Sequence, residues 1–474
     1  MDTAGNGSGG GSMIENVTFA EIRIGQQASL SRRLTLSDIE LFATVSGDLN
    51  PSHVDAEYAT DRKLVGHGMW SGSLISAVLG TLLPGPGTVY VAQDLRFHRP
   101  VMLGDVVTVT VTARAKDEAR KTVTFDCLAA NQDGKPVVSG LAEVVAPTVK
   151  VRRPVAELPQ VQVIRHDGHA LLLQKCEALP PVPTAVVHPC DDSALRGAVE
   201  AAEADLIDPV LVGPEARIRA TAAAAGLDIA RYRIVDVPHS HAAAEAGVRL
   251  ARTGECEAVM KGSLHTDELM GEVVRKETGL RTGRRLSHVF VMNVPTYPRP
   301  LLITDAAINI YPTLEDKVDI VQNAIDLARI LGTAQPRVAI LSAVETVNPK
   351  IASTLEAAAL CKMADRGQIT GGILDGPLAF DNAISREAAI TKGIASDVSG
   401  KADILLVPDL EAGNMLAKQL SFLAHADGAG IVLGARVPII LTSRADNVRT
   451  RLASCAVAVL MAAARRGGAV PAAE

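Results

Sequence analysis

The hydrophobic pattern of this chain changes period near residue 150, and no other feature limits its folding more. Residues 14–147 read as one or two helices among many strands, whereas beyond about residue 166 short apolar runs alternate with Ala-rich helical stretches. Side chains on a strand alternate faces with a period of two, so the run VVTVTVTA, alternating valine and threonine, predicts a half-buried antiparallel strand. Strand-like runs occupy residues 88–97, 105–115, 122–130 and 137–146, with NQDGK between the last two as a hairpin turn. Ser37 with Glu40 predicts a capping box opening a short helix with Ile39, Leu41, Phe42 and Val45 on its apolar side. A second helix is predicted over about residues 70–83, stopped by Pro84-Gly85. A helix ahead of a long meander predicts a sheet wrapped around it.

The second pattern predicts a different architecture. TAVVHP, PVLVG, RIVDVP, AVMKG, HVFVMNVP, RVAILSA, GGILDGP and DILLVPD read as buried strands, separated by amphipathic helices such as SALRGAVEAAEA. Alternating strand and helix implies a parallel α/β sheet with functional loops at the strands' carboxyl ends. This part holds about 310 residues, more than one core usually accommodates, so two lobes are expected. Residues 148–165, rich in proline and without helical period, read as a linker, and residues 1–13 as a flexible Gly/Ser leader. The expected fold class is therefore multidomain, α+β followed by α/β.

Composition removes several classes of function. The net charge is −6, and no basic lobe offers a phosphate-backbone footprint; aromatic residues are 3%, with Trp70 the single tryptophan, too few for base-stacking platforms. No nucleic-acid partner is expected. The six cysteines lack ligand spacing for zinc and read as free thiols of a reducing compartment. Residues 452–464 form an apolar run too short to span a bilayer, and the amino terminus has no signal-peptide core. The reading is a cytoplasmic protein with no membrane partner.

In GDLNPSHVD, Asp48 precedes His53 by five residues, with Asn50-Pro51 fixing a turn between them. A carboxylate and an imidazole aimed into one cleft can hold and polarise a water. In GHGMW, His67-Gly68 opens the second helix, where exposed amides can stabilise an oxyanion. Ordinary turn chemistry explains each piece equally well. Taken in order, GDLNPSHVDAEYA, HGMWSGSLIS and LRFHRPVMLGDVVTV resemble the MaoC-like (R)-specific enoyl-CoA hydratase family over about residues 17–146. The resemblance implies a hot-dog fold, a catalytic pair Asp48 and His53, Asn50 orienting that pair, the Gly68 amide as oxyanion donor, and a dimer. It also implies that Trp70, where the family carries a smaller aliphatic residue, affects acyl-chain length. Ser73 reads as lying near the site or on the helix surface.

In the second part, Lys261, Gly262, Ser263, His265 and Thr266 follow a predicted strand and open a helix, a setting that suits an anion. Arg281, Arg284 and Arg285 cluster in a loop that reads equally as a solvated basic surface. Further on stand Asp375 and Asp381, then Asp409, Asn414 and Lys418, then Ser443, Arg444 and Asp446 after a buried strand. A guanidinium at a sheet's carboxyl edge matches phosphate or carboxylate oxygens, and a nearby aspartate can take a thiol's proton; helix caps and salt bridges are the plain alternatives.

The motifs MKGSLHTDELM, LSHVFVMNVPTYPRPLLITDAAINIYP, DGPLAFDNAIS, VPDLEAGNMLAKQL and GARVPIILTSRADN resemble the phosphate acetyl/butyryltransferase family over about residues 166–466. That resemblance implies a two-lobed, isocitrate-dehydrogenase-like domain, one lobe formed by residues 166–285 with 433–474 and the other by 286–432, with the site between them. The implied reaction is acyl-CoA plus phosphate giving acyl-phosphate plus CoA. Ser443 would hydrogen-bond at the reacting carbonyl and Arg444 would bind phosphate. In the acetyl-specific branch the general-base aspartate lies seven residues past that serine, where this chain has Thr450, so Asp446 is its substitute. An arginine of the acetyl branch aligns near Met270, and Lys261, His265 or Arg285 would replace its charge. These departures point to the butyryl-like branch. Ser263, Thr266 and Asn414 complete the implied substrate contacts.

Both resemblances share one substrate class. The chain therefore reads as a bifunctional acyl-CoA enzyme and a homodimer or higher homo-oligomer. CoA thioester, CoA and phosphate are its substrates, and it has no metal or bound cofactor. The alternatives are an active hydratase with a noncatalytic regulatory or oligomerising second part, and a first part that only binds acyl-CoA.

Overall fold

The computed structural model describes residues 13–55, 57–58, 63–156, 161, 163, 167–441 and 447–468. The chain divides into two compact units, residues 1–164 and 165–474.

The first unit is a five-stranded antiparallel sheet ordered Gln27–Arg33, Val106–Asp117, Thr122–Ala130, Pro136–Val145, Val89–Phe97. The four predicted runs are four of these strands. Gln27–Arg33 escaped the sequence reading because only Ala28 and Leu30 of QASLSRR turn inward against the core, too short an apolar alternation to mark a strand. The helix Gly68–Thr81 buries Trp70, Leu74, Ile75, Val78 and Leu79, an i, i+4, i+8 stripe, in one core with Val107, Val109, Val111 and Phe125. Strand contact is close at Gly140, where an added Cβ would lie 1.8 Å from the Asp94 carbonyl oxygen.

Two sequence expectations are corrected here. The cap of helix Leu36–Ser46 is Thr35 with Asp38, not Ser37 with Glu40: the Asp38 amide donates to Thr35 Oγ1 at 3.1 Å, and the Thr35 amide to Asp38 Oδ2 at 3.0 Å. Part of the expected linker is structured: Arg152–Pro154 pairs antiparallel with Met13–Glu15 and thereby joins the first unit.

The second unit is built on one eleven-stranded sheet. Its order is Arg233–Asp236, Ile207–Gly213, Val182–Val187, Ala258–Lys261, Ile439–Ile440, Asp427–Leu433, Ser287–Asn293, Leu301–Thr304, Ile404–Leu406, Arg337–Leu341, Ile373–Leu378. All the apolar runs read as buried strands are strands, but the expectation of an all-parallel sheet fails at its centre. Asp427–Leu433 runs antiparallel to both neighbours, and Ser287–Asn293 is antiparallel to Leu301–Thr304. The connections at residues 294–300 and 434–438 are short and carry no helix, and parallel neighbours need a long crossover, so these strands fold back on themselves. The last strand, Ile439–Ile440, lies parallel to Ala258–Lys261 and closes the sheet between segments far apart in sequence.

Candidate functional site

In the first unit the loop between two helices gathers the polar side chains. Asn50 caps the short helix Pro51–Val54: its Oδ1 accepts from the Ser52 amide at 3.1 Å and from the Ser52 hydroxyl at 3.0 Å. The Asn50 amide donates to Asp48 Oδ1 at 3.2 Å, so the same turn fixes the carboxylate. The helix then delivers His53, whose Nδ1 lies 2.7 Å from the Val65 carbonyl oxygen. A carbonyl can only accept, so Nδ1 carries a proton and the lone pair of the neutral ring sits on Nε2. That Nε2 faces Asp48 Oδ2 at 3.9 Å; the carboxylate is 52% exposed and the imidazole 13%.

The sequence-predicted pair is therefore brought together, with a gap too long for a direct hydrogen bond. One water donating to both atoms at about 2.8 Å would fit that gap. Gly68 opens the helix Gly68–Thr81, and the N-cap side chain, His67, makes no capping bond to its first-turn amides. A Cβ at position 68 would lie 3.2 Å from the Phe97 ring, so glycine lets this helix start approach the strand. Ser73 Oγ donates back to the Trp70 carbonyl at 2.7 Å, and Trp70 is buried in the core.

The sequence reading used His67 only to locate Gly68. Its Nε2 lies 3.0 Å from the Asp48 carbonyl oxygen, and its ring stacks on His53 with centroids 3.9 Å apart. Asp48, His53 and His67 each offer a ligand atom within 4.8 Å of the others, a spacing that admits a metal ion.

In the second unit Ser443, Arg444 and Asp446 lie outside the described residues. The strand before them, Ile439–Ile440, runs parallel to Ala258–Lys261, so the chain leaves the same sheet edge at Leu441 and at Gly262. A Cβ at Gly262 would meet the Val187 carbonyl oxygen at 2.3 Å, which is why no side chain stands there. Ser263 Oγ donates to the His188 carbonyl at 2.8 Å and accepts from the Cys190 amide at 3.1 Å. These bonds hold His188 in a left-handed conformation, φ 54°. Burial, and then the charge of Arg217, push the His188 pKa below its ordinary value. Lys261 is buried, with Nζ 3.3 Å from the Gly262 carbonyl oxygen. His265 is exposed at the N-cap of Thr266–Val273, a helix whose first turn already carries Asp267 and Glu268. Two carboxylates there compete with any anion for the helix's positive end.

Other motif residues are occupied inside the unit. Arg285 Nε donates to Asn309 Oδ1 at 2.8 Å and its Nη1 pairs with Asp316 at 3.1 Å; Arg284 pairs with Asp326 at 2.5 Å. Asn414 Nδ2 donates to the Ala306 carbonyl at 3.2 Å. Asp409 caps the helix Leu410–Leu423, Asp375 accepts from the Gly376 amide, and Asp381 accepts from the Asn382 amide. The sequence reading missed Asp305, a buried carboxylate that accepts from the Ala307 amide at 2.9 Å and from Asn309 Nδ2 at 2.6 Å. It also missed His288, wholly buried, whose pKa burial pushes down to about 4 against the opposing charge of Asp305.

Residues 241–459 match the sequence profile of the phosphate acetyl/butaryl transferase family, and residues 19–130 that of the MaoC like domain. A phosphate acetyltransferase of Rhizobium meliloti is 68% identical over 301 residues, 64% of this chain and 95% of that protein. A phosphate butyryltransferase of Clostridium acetobutylicum is 41% identical over 300 residues, 63% of this chain and 99% of that protein. Among solved structures, a branched-chain phosphotransacylase from Enterococcus faecalis V583 is 29% identical with a TM-score of 0.53, covering 59% of this chain and 99% of that one.

Proposed function

This chain belongs to the phosphate acetyl/butaryl transferase family and carries a MaoC-like domain ahead of that part, and from this premise we propose that it is a bifunctional acyl-CoA enzyme. The second unit exchanges phosphate and CoA on an acyl group, and the first adds water to an enoyl-CoA. Acetyl-CoA is the proposed acyl donor, supported by 68% identity to an acetyltransferase against 41% to a butyryltransferase. That comparison turns the reading away from the butyryl-like branch that Thr450 and Met270 suggested. Ser443 and Arg444 are assigned to the reacting carbonyl and to phosphate, and Asp446 to the thiol's proton. Lys261, Ser263, His265 and Thr266 are assigned to the anion loop.

One observation carries the hydration reading: His53 Nε2, its lone pair set by the Val65 carbonyl, faces the Asp48 carboxylate at 3.9 Å. A water held by both loses a proton to Nε2 as its oxygen bonds C3 of the enoyl group. The π pair moves to C2 and onto the thioester oxygen, where the Gly68 amide stabilises the charge. The proton then passes from Nε2 to C2.

This reading assigns no resident metal or cofactor to either reaction. We further propose a homodimer, supported by Val89–Phe97, an edge strand that exposes Val89, Val91 and Phe97. A cytoplasmic setting is supported by six unbridged cysteines. No helix among the described residues is long and apolar enough to cross a membrane.

The test uses the purified chain with crotonyl-CoA, and with phosphate plus acetyl-CoA or butyryl-CoA. Both activities are expected, acetyl-CoA outpacing butyryl-CoA. Asp48→Asn is expected to lower hydration by about 10² or more while acyl transfer persists. A folded protein with no acyl-phosphate formation from either donor rejects the transferase reading. Hydration unchanged in Asp48→Asn rejects the assigned pair.

A further inference from the structure

We propose that His67 is the positioning residue of the water-adding site, holding Asp48 and His53 at the separation one water bridges; the role rests on the hydration reading above. Its ring has two functional contacts. Nε2 lies 3.0 Å from the Asp48 backbone carbonyl oxygen and must be the protonated nitrogen, because the carbonyl cannot donate. One face stacks on His53, with centroids 3.9 Å apart and planes 30° from parallel. The Phe42 ring, 5.1 Å away, adds an aromatic neighbour to the same ring.

The choice of residue type is itself informative. His67 is 3% exposed, and its Nδ1 is buried with no hydrogen-bond partner. A buried nitrogen without a partner costs free energy, so packing alone favours phenylalanine here. Phenylalanine would stack on His53 but supply no N–H to the Asp48 carbonyl. Glutamine would supply the N–H but no aromatic face. Histidine does both, and the orphaned Nδ1 is what remains of that combination. The hydrogen bond fixes the chain that carries the carboxylate, and the stack fixes the imidazole plane. Both reacting groups are thus referenced to one buried ring at the helix start that also presents the Gly68 amide.

The stack bears on the chemistry as well. When His53 Nε2 takes the water's proton, the ring becomes an imidazolium. A neutral aromatic face beside it stabilises that charge until the proton is delivered to C2.

Two variants separate these contributions in the full chain. In His67→Phe, which keeps the stack and loses the donor, kcat for crotonyl-CoA hydration is expected to fall about tenfold or more with KM within about twofold of the unsubstituted protein. In His67→Gln, which restores the donor, kcat is expected to recover to at least about threefold above that of His67→Phe. Far-UV circular dichroism and thermal unfolding establish that each variant is folded. A kcat for folded His67→Phe within twofold of the unsubstituted enzyme overturns the proposal, as does a folded His67→Gln no faster than His67→Phe. An independent readout needs no turnover: long-range ¹H–¹⁵N correlations in histidine-labelled protein, assigned with the His67→Gln variant, are expected to show His67 protonated on Nε2 and bare on Nδ1. The opposite tautomer overturns the positioning role whatever the rates. Absence of hydration in the unsubstituted protein, with the expected tautomer present, instead defeats the hydration reading.

Discussion

In the first unit the facing atoms of Asp48 and His53 remain open to a ligand, with the buried His67 behind them. Among the described residues Asp48 pairs with no lysine or arginine, and His53 and His67 each use one ring nitrogen on a backbone carbonyl. In the second unit several motif residues, among the described ones, are already engaged: Arg284 and Arg285 by aspartates, Asn414 by the Ala306 carbonyl, Ser263 by the His188 and Cys190 backbone. The contrast follows from architecture. A hot-dog sheet places a short turn and one helix start beside each other, so few residues make the site. A large mixed sheet needs long loops at its strand ends, and most polar residues in those loops hold the loop itself.

The sharpest way to break the contrast acts on one unit alone. Gly140→Ala would place a Cβ 1.8 Å from the Asp94 carbonyl oxygen, which only movement of a paired strand relieves. A loss of about 3 kcal/mol or more is expected in the first unit, read as early thermal unfolding with hydration abolished and acetyl transfer retained. Loss of both activities together would show that the units do not function separately.

The next effect belongs to the second unit and appears with pH. His288 is wholly buried and its pKa is pushed from 6.5 down to about 4, so the unfolded chain binds this proton more readily than the folded one. The stability from the neutral ring is fully present above pH 6.5 and is lost as pH falls towards 4. The loss is about 3 kcal/mol by linkage. Denaturant unfolding across that window is expected to show the slope in the unsubstituted chain and a flatter one in His288→Gln. Equal slopes would remove His288 from the account.

The smallest effect is the most discriminating for the comparison itself. Arg285 is half exposed in its pair with Asp316, so Arg285→Ala is expected to cost under about 1 kcal/mol and to change the KM for phosphate less than about threefold. A tenfold rise in that KM at unchanged stability would return Arg285 to the ligand.

These cases show what the sequence makes legible. Strands 106–117, 122–130 and 136–145 are readable because one buried face imposes period two; Gln27–Arg33 is not, because only Ala28 and Leu30 mark its inner face. The helix cap is ambiguous by two residues in the sequence because Thr35 with Asp38 and Ser37 with Glu40 both satisfy the same rule, and only the backbone decides between them. The reversed strands at the centre of the large sheet arise from two short connections, residues 294–300 and 434–438, together with the pairing of Ser287–Asn293 against the distant Asp427–Leu433, and the apolar runs alone do not record strand direction. Asp48 and His53 are readable because one proline-fixed turn joins them. The part played by His67 arises from a ring stack across a loop and is visible only in three dimensions.

The position of Ile439–Ile440 has a consequence for biosynthesis. This two-residue strand fills the slot between Ala258–Lys261 and Asp427–Leu433, and the helix Val448–Arg466 then packs against Asp427–Leu433. A nascent chain emerging from the ribosome has all five strands of the first sheet in hand by residue 145, but it holds the second sheet open until residue 440 has cleared the exit tunnel. Between the emergence of Lys261 and that of Ile440 the free edge of Ala258–Lys261 lacks its native neighbour, so translation speed over that stretch sets how long this edge stays unpaired.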